Sequence, residues 1–371
     1  MLRTPFLWTR QKKPLPLAAV MSWTSRNRFE RSSARRTSLR CNYLFASRLC
    51  VLIVFLATAV MGTSTADEHR DSSEMLQLLR PLTSSVRRSM AQVISGTRPV
   101  ALATAVDSDG FLITKRSELS SDPLRVRLWD GRMYPARVAA VRRQNDLALL
   151  KIDSDVQLTP IEFENFMPAP ASFLISPGRT GRAIGIGVLG ARQRRIMAQG
   201  RLGVYLDDDN NGRALVREVI QGSGADRAGI VAGDVIVEIN GAQQQSSSGV
   251  MRTLKRMFPG ENVRLTVIRQ NGDVGTDTLE MDARIREVDM LHESENDSLV
   301  NGPRSGRISG FDRVIQHDTV LNPDECGGPI LDTAGRVVGM NIARAGRVVT
   351  YALPASLVNS ELQGMLAEAK R

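Results

Sequence analysis

From Gln92 to Asp153 the chain is a succession of short apolar runs cut by turn residues, and this pattern limits the folds open to it. Val100–Val106 is apolar, Ser108-Asp109-Gly110 turns the chain, and Phe111–Thr114 is apolar again. Leu124–Trp129 alternates, Asp130-Gly131 is a strong hairpin signal, and Tyr134–Val141 and Leu147–Ile152 follow. Short strands at this spacing predict a barrel or a sandwich. A second set begins with Ser172–Ser176 and Arg182–Gly190. At Gly200 the pattern changes: residues 200–284 alternate strands with two helical patches, an α+β signature. A polar linker, 285–309, leads to further strand signals at Phe311–His317, Pro329–Leu331, Arg336–Ile342 and Val348–Leu353. The expected architecture is therefore mainly β, with an α+β domain inserted into a β domain. A chain of 371 residues is long enough for two or three domains with their own cores.

The formal charge of +10 suggests a nucleic-acid partner until its distribution is considered. Residues 1–66 hold 11 Lys/Arg and one acidic residue, Glu30, so the 38 basic and 38 acidic residues that follow cancel. Without net charge after residue 66 there is no electrostatic footprint for DNA or RNA, and nucleic acid is excluded as a partner. Within 1–66, a basic stretch to Arg48, an apolar run from Leu49 to Met61 and the small residues Ser64-Thr65-Ala66 have the layout of a secretory signal peptide. The apolar run is shorter than the ~20 residues a spanning helix needs. Cleavage near Ala66 is expected, with export to a periplasm or cell envelope and no stable membrane span. Cleavage also removes Cys41 and Cys50, leaving Cys326 as a lone thiol unable to form an internal disulfide. Neither a cofactor nor a metal site is expected.

Within the inserted segment, Arg201-Leu202-Gly203-Val204 is followed by the run Gly222–Ile230 (GSGADRAGI) and by Ala232–Gly241 (AGDVIVEING). A helix is expected from about Ser248 to Phe258 and a strand over Val263–Arg269. This segment resembles a PDZ domain. The resemblance implies that a peptide C-terminus adds as a strand beside the helix. Backbone N–H groups of Arg201, Leu202, Gly203 and Val204 would hold the carboxylate, and Val250 and Leu254 would line the side-chain pocket. The same helical spacing is equally that of residues packing the domain core.

The flanking β segments, about 90–200 and 311–356, resemble the trypsin-fold Do/HtrA-type serine proteases, which carry PDZ domains. The resemblance rests on Asp109–Thr114 (DGFLIT), Asn145–Ile152 (NDLALLKI), Gly187–Gly190 with Arg192, and the stretch from Ile315-Gln316-His317-Asp318 to Asp324-Glu325-Cys326-Gly327-Gly328-Pro329. It implies a trypsin-like double β-barrel with an inserted α+β PDZ domain, whereas the family places PDZ after the complete protease. The implied division is a targeting segment 1–66, a polar segment 67–90, and barrel one with the start of barrel two at 91–199. The PDZ domain at 200–284, a linker at 285–309 and the rest of barrel two with a tail at 310–371 complete it.

A serine protease needs a nucleophile, a His base and an Asp that orients the His. The family's Asp maps onto Asp146, its His onto Ser117 and its Ser onto Cys326. A serine hydroxyl cannot take a proton at neutral pH, although a thiol is itself a good nucleophile. The oxyanion loop departs as well: Asp324 stands where the family has Gly, with Glu325 beside it and Gly327 after the nucleophile. Two carboxylates there would oppose a developing oxyanion and raise the thiol pKa. Of the remaining imidazoles, His69 lies near the mature N-terminus, His292 in the linker and His317 on the wrong side of the cleft to act as base. The expected function is an exported, catalytically defective protease homologue that binds peptide C-termini or unfolded proteins. The alternatives are an active endopeptidase using Cys326 and a redox or scaffold role for its thiol.

Overall fold

A computed structural model describes residues 72–371 apart from 121, 154, 156, 273–274 and 292–293. The expected signal peptide, Cys41, Cys50, His69 and His292 lie outside the described residues. The first barrel is built from β1 (Met90–Ser95), β2 (Arg98–Asp107), β3 (Phe111–Lys115), β4 (Leu124–Leu128), β5 (Met133–Arg142) and β6 (Leu147–Ile152). These close in the order β1-β2-β3-β6-β5-β4. Val93, Ala103, Leu112, Val126 and Leu150 fill its interior. At the β2–β3 turn Gly110 adopts φ +91°, and a Cβ there would stand 2.3 Å from the Ile152 carbonyl oxygen. Only glycine lets the hairpin fold this closely over β6.

Strands β7 (Phe173–Pro177) and β8 (Ala183–Ile196) open the second barrel. The chain then leaves it at Gly200 for the inserted domain, whose main strands are β10 (Val204–Asp208), β11 (Ala214–Val219), β12 (Val235–Ile239), β14 (Asn262–Gln270) and β15 (Thr276–Arg284). They form one sheet in that order, with β13 (Ala242–Gln243) beside β12. At its foot, β9 (Gly200–Arg201) pairs with β16 (Arg286–Glu287), so entry and exit strands of the insertion clamp each other. Two helices cover the sheet. In Gly224–Ala228, Ser223 caps the Asp226 N–H and Gly229 ends the helix at φ +83°. In Ser247–Leu254, Ser246 caps the Gly249 N–H. The insertion has its own core, which includes Leu202, Val216, Ile236, Val250, Leu265 and Ile285.

Past Glu287 the chain forms short helices at Val288–Leu291 and Glu295–Asn301. It returns through a segment in which Ser305 and Arg307 are fully buried. Strands β17 (Phe311–His317), β18 (Pro329–Leu331), β19 (Val337–Gly346) and β20 (Val349–Pro354) then close the second barrel in the order β17-β20-β19-β18-β7-β8. The molecule is thus mainly β, with two six-stranded barrels and a PDZ-like insertion within the second. Within 285–309, Ile285, Glu287, Ser305, Arg307, Ile308 and Ser309 are buried. The tail after the last strand is a 15-residue helix, Ala355–Ala369, that buries Leu357, Val358, Leu362 and Met365. Among the described residues no helix is long and apolar enough to cross a membrane.

Candidate functional site

The three positions of the expected triad divide between two places that the fold treats differently. Ser117 lies just past β3, and its hydroxyl donates to Asp146 Oδ2 at 2.7 Å in a buried setting. Asp146 precedes β6 at φ +58°, a left-handed conformation that Asp tolerates better than most residues. Its carbonyl accepts the Arg116 N–H at 2.8 Å. The neighbouring Asn145 fastens this corner to the second barrel: its Oδ1 accepts the Asp312 N–H at 3.0 Å, and its amide donates to Glu361 at 2.9 Å.

The second carboxylate oxygen of Asp146 accepts no hydrogen bond among the described residues. Its compensation is Arg307, whose guanidinium lies 3.8 Å away with both side chains fully buried. Burial pushes the Asp146 pKa up, and Arg307 and the Ser117 hydroxyl only partly offset it. Arg307 is held by the carbonyls of Arg143 (2.6 Å), Gln144 (2.8 Å), Ser309 (3.0 Å) and Gly310. It stacks 4.2 Å over the Phe258 ring. An active triad would place an imidazolium beside this carboxylate; here a guanidinium that cannot accept a proton is the positive partner.

The insertion covers Ser117. A Cβ on Gly260 would stand 2.9 Å from the Ser117 Cβ, and Arg284 donates to the Ser117 carbonyl at 2.5 Å. Glu261 is held by Arg143 in two 2.6 Å bonds and by Arg116 at 3.2 Å. These contacts tie the insertion to the first barrel beside Ser117.

Cys326 ends a 3-10 turn, Pro323–Glu325, and is fully buried. Its thiol faces the Asn322 carbonyl at 3.7 Å. The Cys326 N–H, one of the two donors an oxyanion hole would use, instead meets the Pro323 carbonyl at 3.3 Å. Gly327 (φ +104°) presses the loop onto the first barrel so closely that a Cβ would lie 2.2 Å from the Leu102 carbonyl. Burial raises the thiol pKa, with Lys115 opposing it and Glu118 adding to it. The sequence assigned that rise to Asp324 and Glu325, but burial dominates and the contributing carboxylate is Glu118. Glu325 turns back to accept the Asn322 N–H at 2.7 Å in a capping box.

Ser305 lies with its side chain within hydrogen-bonding reach of the Cys326 thiol. Its N–H donates to the Arg344 carbonyl at 2.9 Å, while its hydroxyl accepts from the Arg344 N–H at 3.0 Å and from Lys115 Nζ at 3.2 Å. The buried Lys115 also donates to the Pro323 carbonyl at 3.1 Å and pairs with Glu118 at 3.3 Å. The segment 305–307 thus runs between the Ser117–Asp146 corner and Cys326. His317 is buried between Thr319 (2.8 Å) and Asn341 (2.9 Å).

The insertion offers an open site instead. A groove of about 240 Å³ runs between the backbone of Arg201, Leu202, Gly203 and Val204 and the helix face bearing Met251, Leu254 and Lys255. Val288 and Leu291 close one side. Leu254 lines the groove. Val250 does not: it is fully buried in the domain core, and Met251, 45 % exposed, stands at the groove. The helix starts at Ser247 and turns position 250 inward. Lys115, Ser305, Arg307, Val288 and Leu291 left no motif signal, because each acquires its place only through contacts distant in sequence.

Residues 200–281 match the PDZ domain family. The chain is similar to a "Probable periplasmic serine endoprotease DegP-like" of Chlamydia trachomatis, 23 % identical over 252 residues, covering 44 % of this chain and 50 % of the relative. A protein of the same description from Hahella chejuensis is 25 % identical over 253 residues, covering 46 % and 54 % respectively. The chain spans about half the length of the curated relatives it matches. Together with the two barrels, these matches support an HtrA/Do-type relationship with a PDZ domain.

Proposed function

We propose that this protein is a peptide-binding PDZ protein on a trypsin-type scaffold that no longer cleaves peptide bonds. It would act in the periplasm, the compartment for which its relatives are named. One observation carries the loss of catalysis: the base position is a serine that donates to Asp146, whose other neighbour is the buried Arg307. Among the described residues no imidazole stands there to take a proton from the thiol of Cys326. Ser305 beside the thiol and the engaged Cys326 N–H support the same reading. Without a triad, an intact oxyanion hole and binding would leave at best ~10³–10⁴-fold over water, below what a casein assay detects.

The binding function rests on the apolar groove beside the Arg201–Val204 loop, which suits a peptide with an apolar C-terminal residue. Two measurements test the reading. Unfolded casein should remain intact in the protein's presence; cleavage that Cys326→Ala abolishes would establish the Cys peptidase instead. Calorimetry with peptides ending in an apolar residue should give weaker binding once the C-terminus is amidated, and equal affinity would reject the carboxylate-binding loop.

A further inference from the structure

A second cavity, of about 360 Å³, opens where the insertion, the first barrel and the returning segment meet, away from the peptide groove. Arg227, Arg284, Arg286 and Arg304 line it, along with Glu118, Asp282 and Glu287. The carboxylates are engaged elsewhere. Glu118 pairs with Lys115 at 3.3 Å and accepts the Gly306 N–H at 2.8 Å. Asp282 pairs with Arg264 at 3.2 Å. Glu287 accepts the Ile308 N–H at 2.7 Å and the Ser309 hydroxyl at 2.8 Å, and burial pushes its pKa up.

The arginines are held differently. Arg284 donates to the Ser117 carbonyl and Arg286 to the Gly222 carbonyl at 2.6 Å. These acceptors are neutral; the carboxylate whose charge reaches Arg284 is Glu118, which Lys115 already pairs. Arg227 has neither a side-chain hydrogen bond nor an ion pair among the described residues. Burial, followed by the Arg227 and Arg284 charges, pushes the Arg286 pKa below its usual value. Three like charges therefore crowd one cavity, each from a different element: the helix Gly224–Ala228, β15 and β16.

We propose that this cavity is a binding site for a multiply charged phosphate-class anion. A guanidinium fork matches phosphate oxygens in bidentate fashion, and donors arriving from three elements suit a tetrahedral anion better than a planar carboxylate. Because its walls come from the insertion, the first barrel and the segment 304–306, a bound anion would also brace those parts against one another and raise the melting temperature.

The test uses the protein without its expected signal peptide, at ~0.15 M ionic strength to screen non-specific attraction. Pyrophosphate, inorganic phosphate and malonate are titrated by calorimetry and thermal melting against chloride of matched ionic strength. Pyrophosphate should bind and raise the melting temperature, inorganic phosphate should bind more weakly, and Arg227→Ala should weaken pyrophosphate about tenfold. Arg227 is exposed and makes no bond that folding needs, so this variant remains interpretable where Arg286→Ala, which frees the Gly222 carbonyl, fails to fold. No binding above the chloride control, or an affinity unchanged in Arg227→Ala, would overturn the site. Malonate binding as tightly as pyrophosphate would overturn the phosphate class.

Discussion

The interbarrel cleft and the peptide groove are built from opposite materials. In the cleft, Ser117, Asp146, Lys115, Ser305, Arg307 and Cys326 are all buried, and nearly every polar atom is answered by another from the same chain. In the groove, Met251, Leu254, Val288 and Leu291 leave apolar surface open beside a backbone loop. A polar cluster that satisfies itself has little free energy to gain from a ligand, whereas exposed apolar surface does. On the proposed reading, the polar residues of the cleft serve to hold the molecule together, and the capacity to bind lies in the insertion.

The sharpest way to break that comparison is to remove Arg307. If the cleft is structural, Arg307→Ala leaves the buried Asp146 carboxylate uncompensated and costs about 3–5 kcal/mol. Urea denaturation with a fitted midpoint and slope measures it. A loss below about 1 kcal/mol would mean that the ion pair supports nothing.

Restoring the base is the converse experiment. Ser117→His places an imidazole beside Asp146, but Gly260 packs against the Ser117 Cβ and Arg284 against its carbonyl. Overpacking should destabilise by about 1–3 kcal/mol, with no proteolysis gained, even when Asp324→Gly is added. Casein cleavage by the double variant would show that the cleft is merely short of one residue.

The two faces of the PDZ helix allow a finer comparison. Val250→Ala empties part of the core and should cost about 2 kcal/mol while leaving peptide affinity in the folded protein near wild type. Met251→Ala should change stability by less than about 0.5 kcal/mol and weaken an apolar C-terminal peptide by several-fold. Denaturation and calorimetry on both variants separate the two, and the opposite pattern would return Val250 to the groove.

How much of this was legible in the sequence depends on how far apart the cooperating residues are. The strands of the first barrel follow from their own apolar runs, because Asp109-Gly110 and Asp130-Gly131 make local turns. The long PDZ run specifies its turns and caps residue by residue. The Ser117 and Asp146 positions could be located because each follows or precedes a strand motif. Arg307 could not, since a lone arginine in a polar stretch carries no sign that it will meet Asp146 across some 160 residues. The helix Ala355–Ala369 was missed, as its apolar face appears only when set against β5 and β19. Val250 takes the core role that its helical spacing equally allowed, because which face of a helix packs inward is settled by contacts distant in sequence.

The last effect concerns how the insertion is fastened beside the closed cleft, and pH makes it separable from the rest. Glu261 is buried and receives two bonds from Arg143, one from Arg116 and one from the Phe258 N–H. Burial alone would raise its pKa, but the Arg143 bond, the Phe258 N–H and the two arginine charges together bring it below its usual value. A carboxylate whose native pKa is depressed contributes stability above its unfolded value of about 4.3 and loses it as pH falls through the native value. Asp146 and Glu287 have raised native pKa values and the opposite sign: their contribution is present at acid pH and lost as pH rises through those values. Both groups remain in Glu261→Gln, so they largely cancel from a wild-type-minus-variant difference. That difference should be about 1–2 kcal/mol at pH 7, and should shrink towards zero as pH falls below 4.3, where the protonated acid and the amide become equivalent partners. Chemical denaturation of both proteins across that range measures it. A difference that stays constant with pH would assign the role of Glu261 to its shape and hydrogen bonds rather than to its charge.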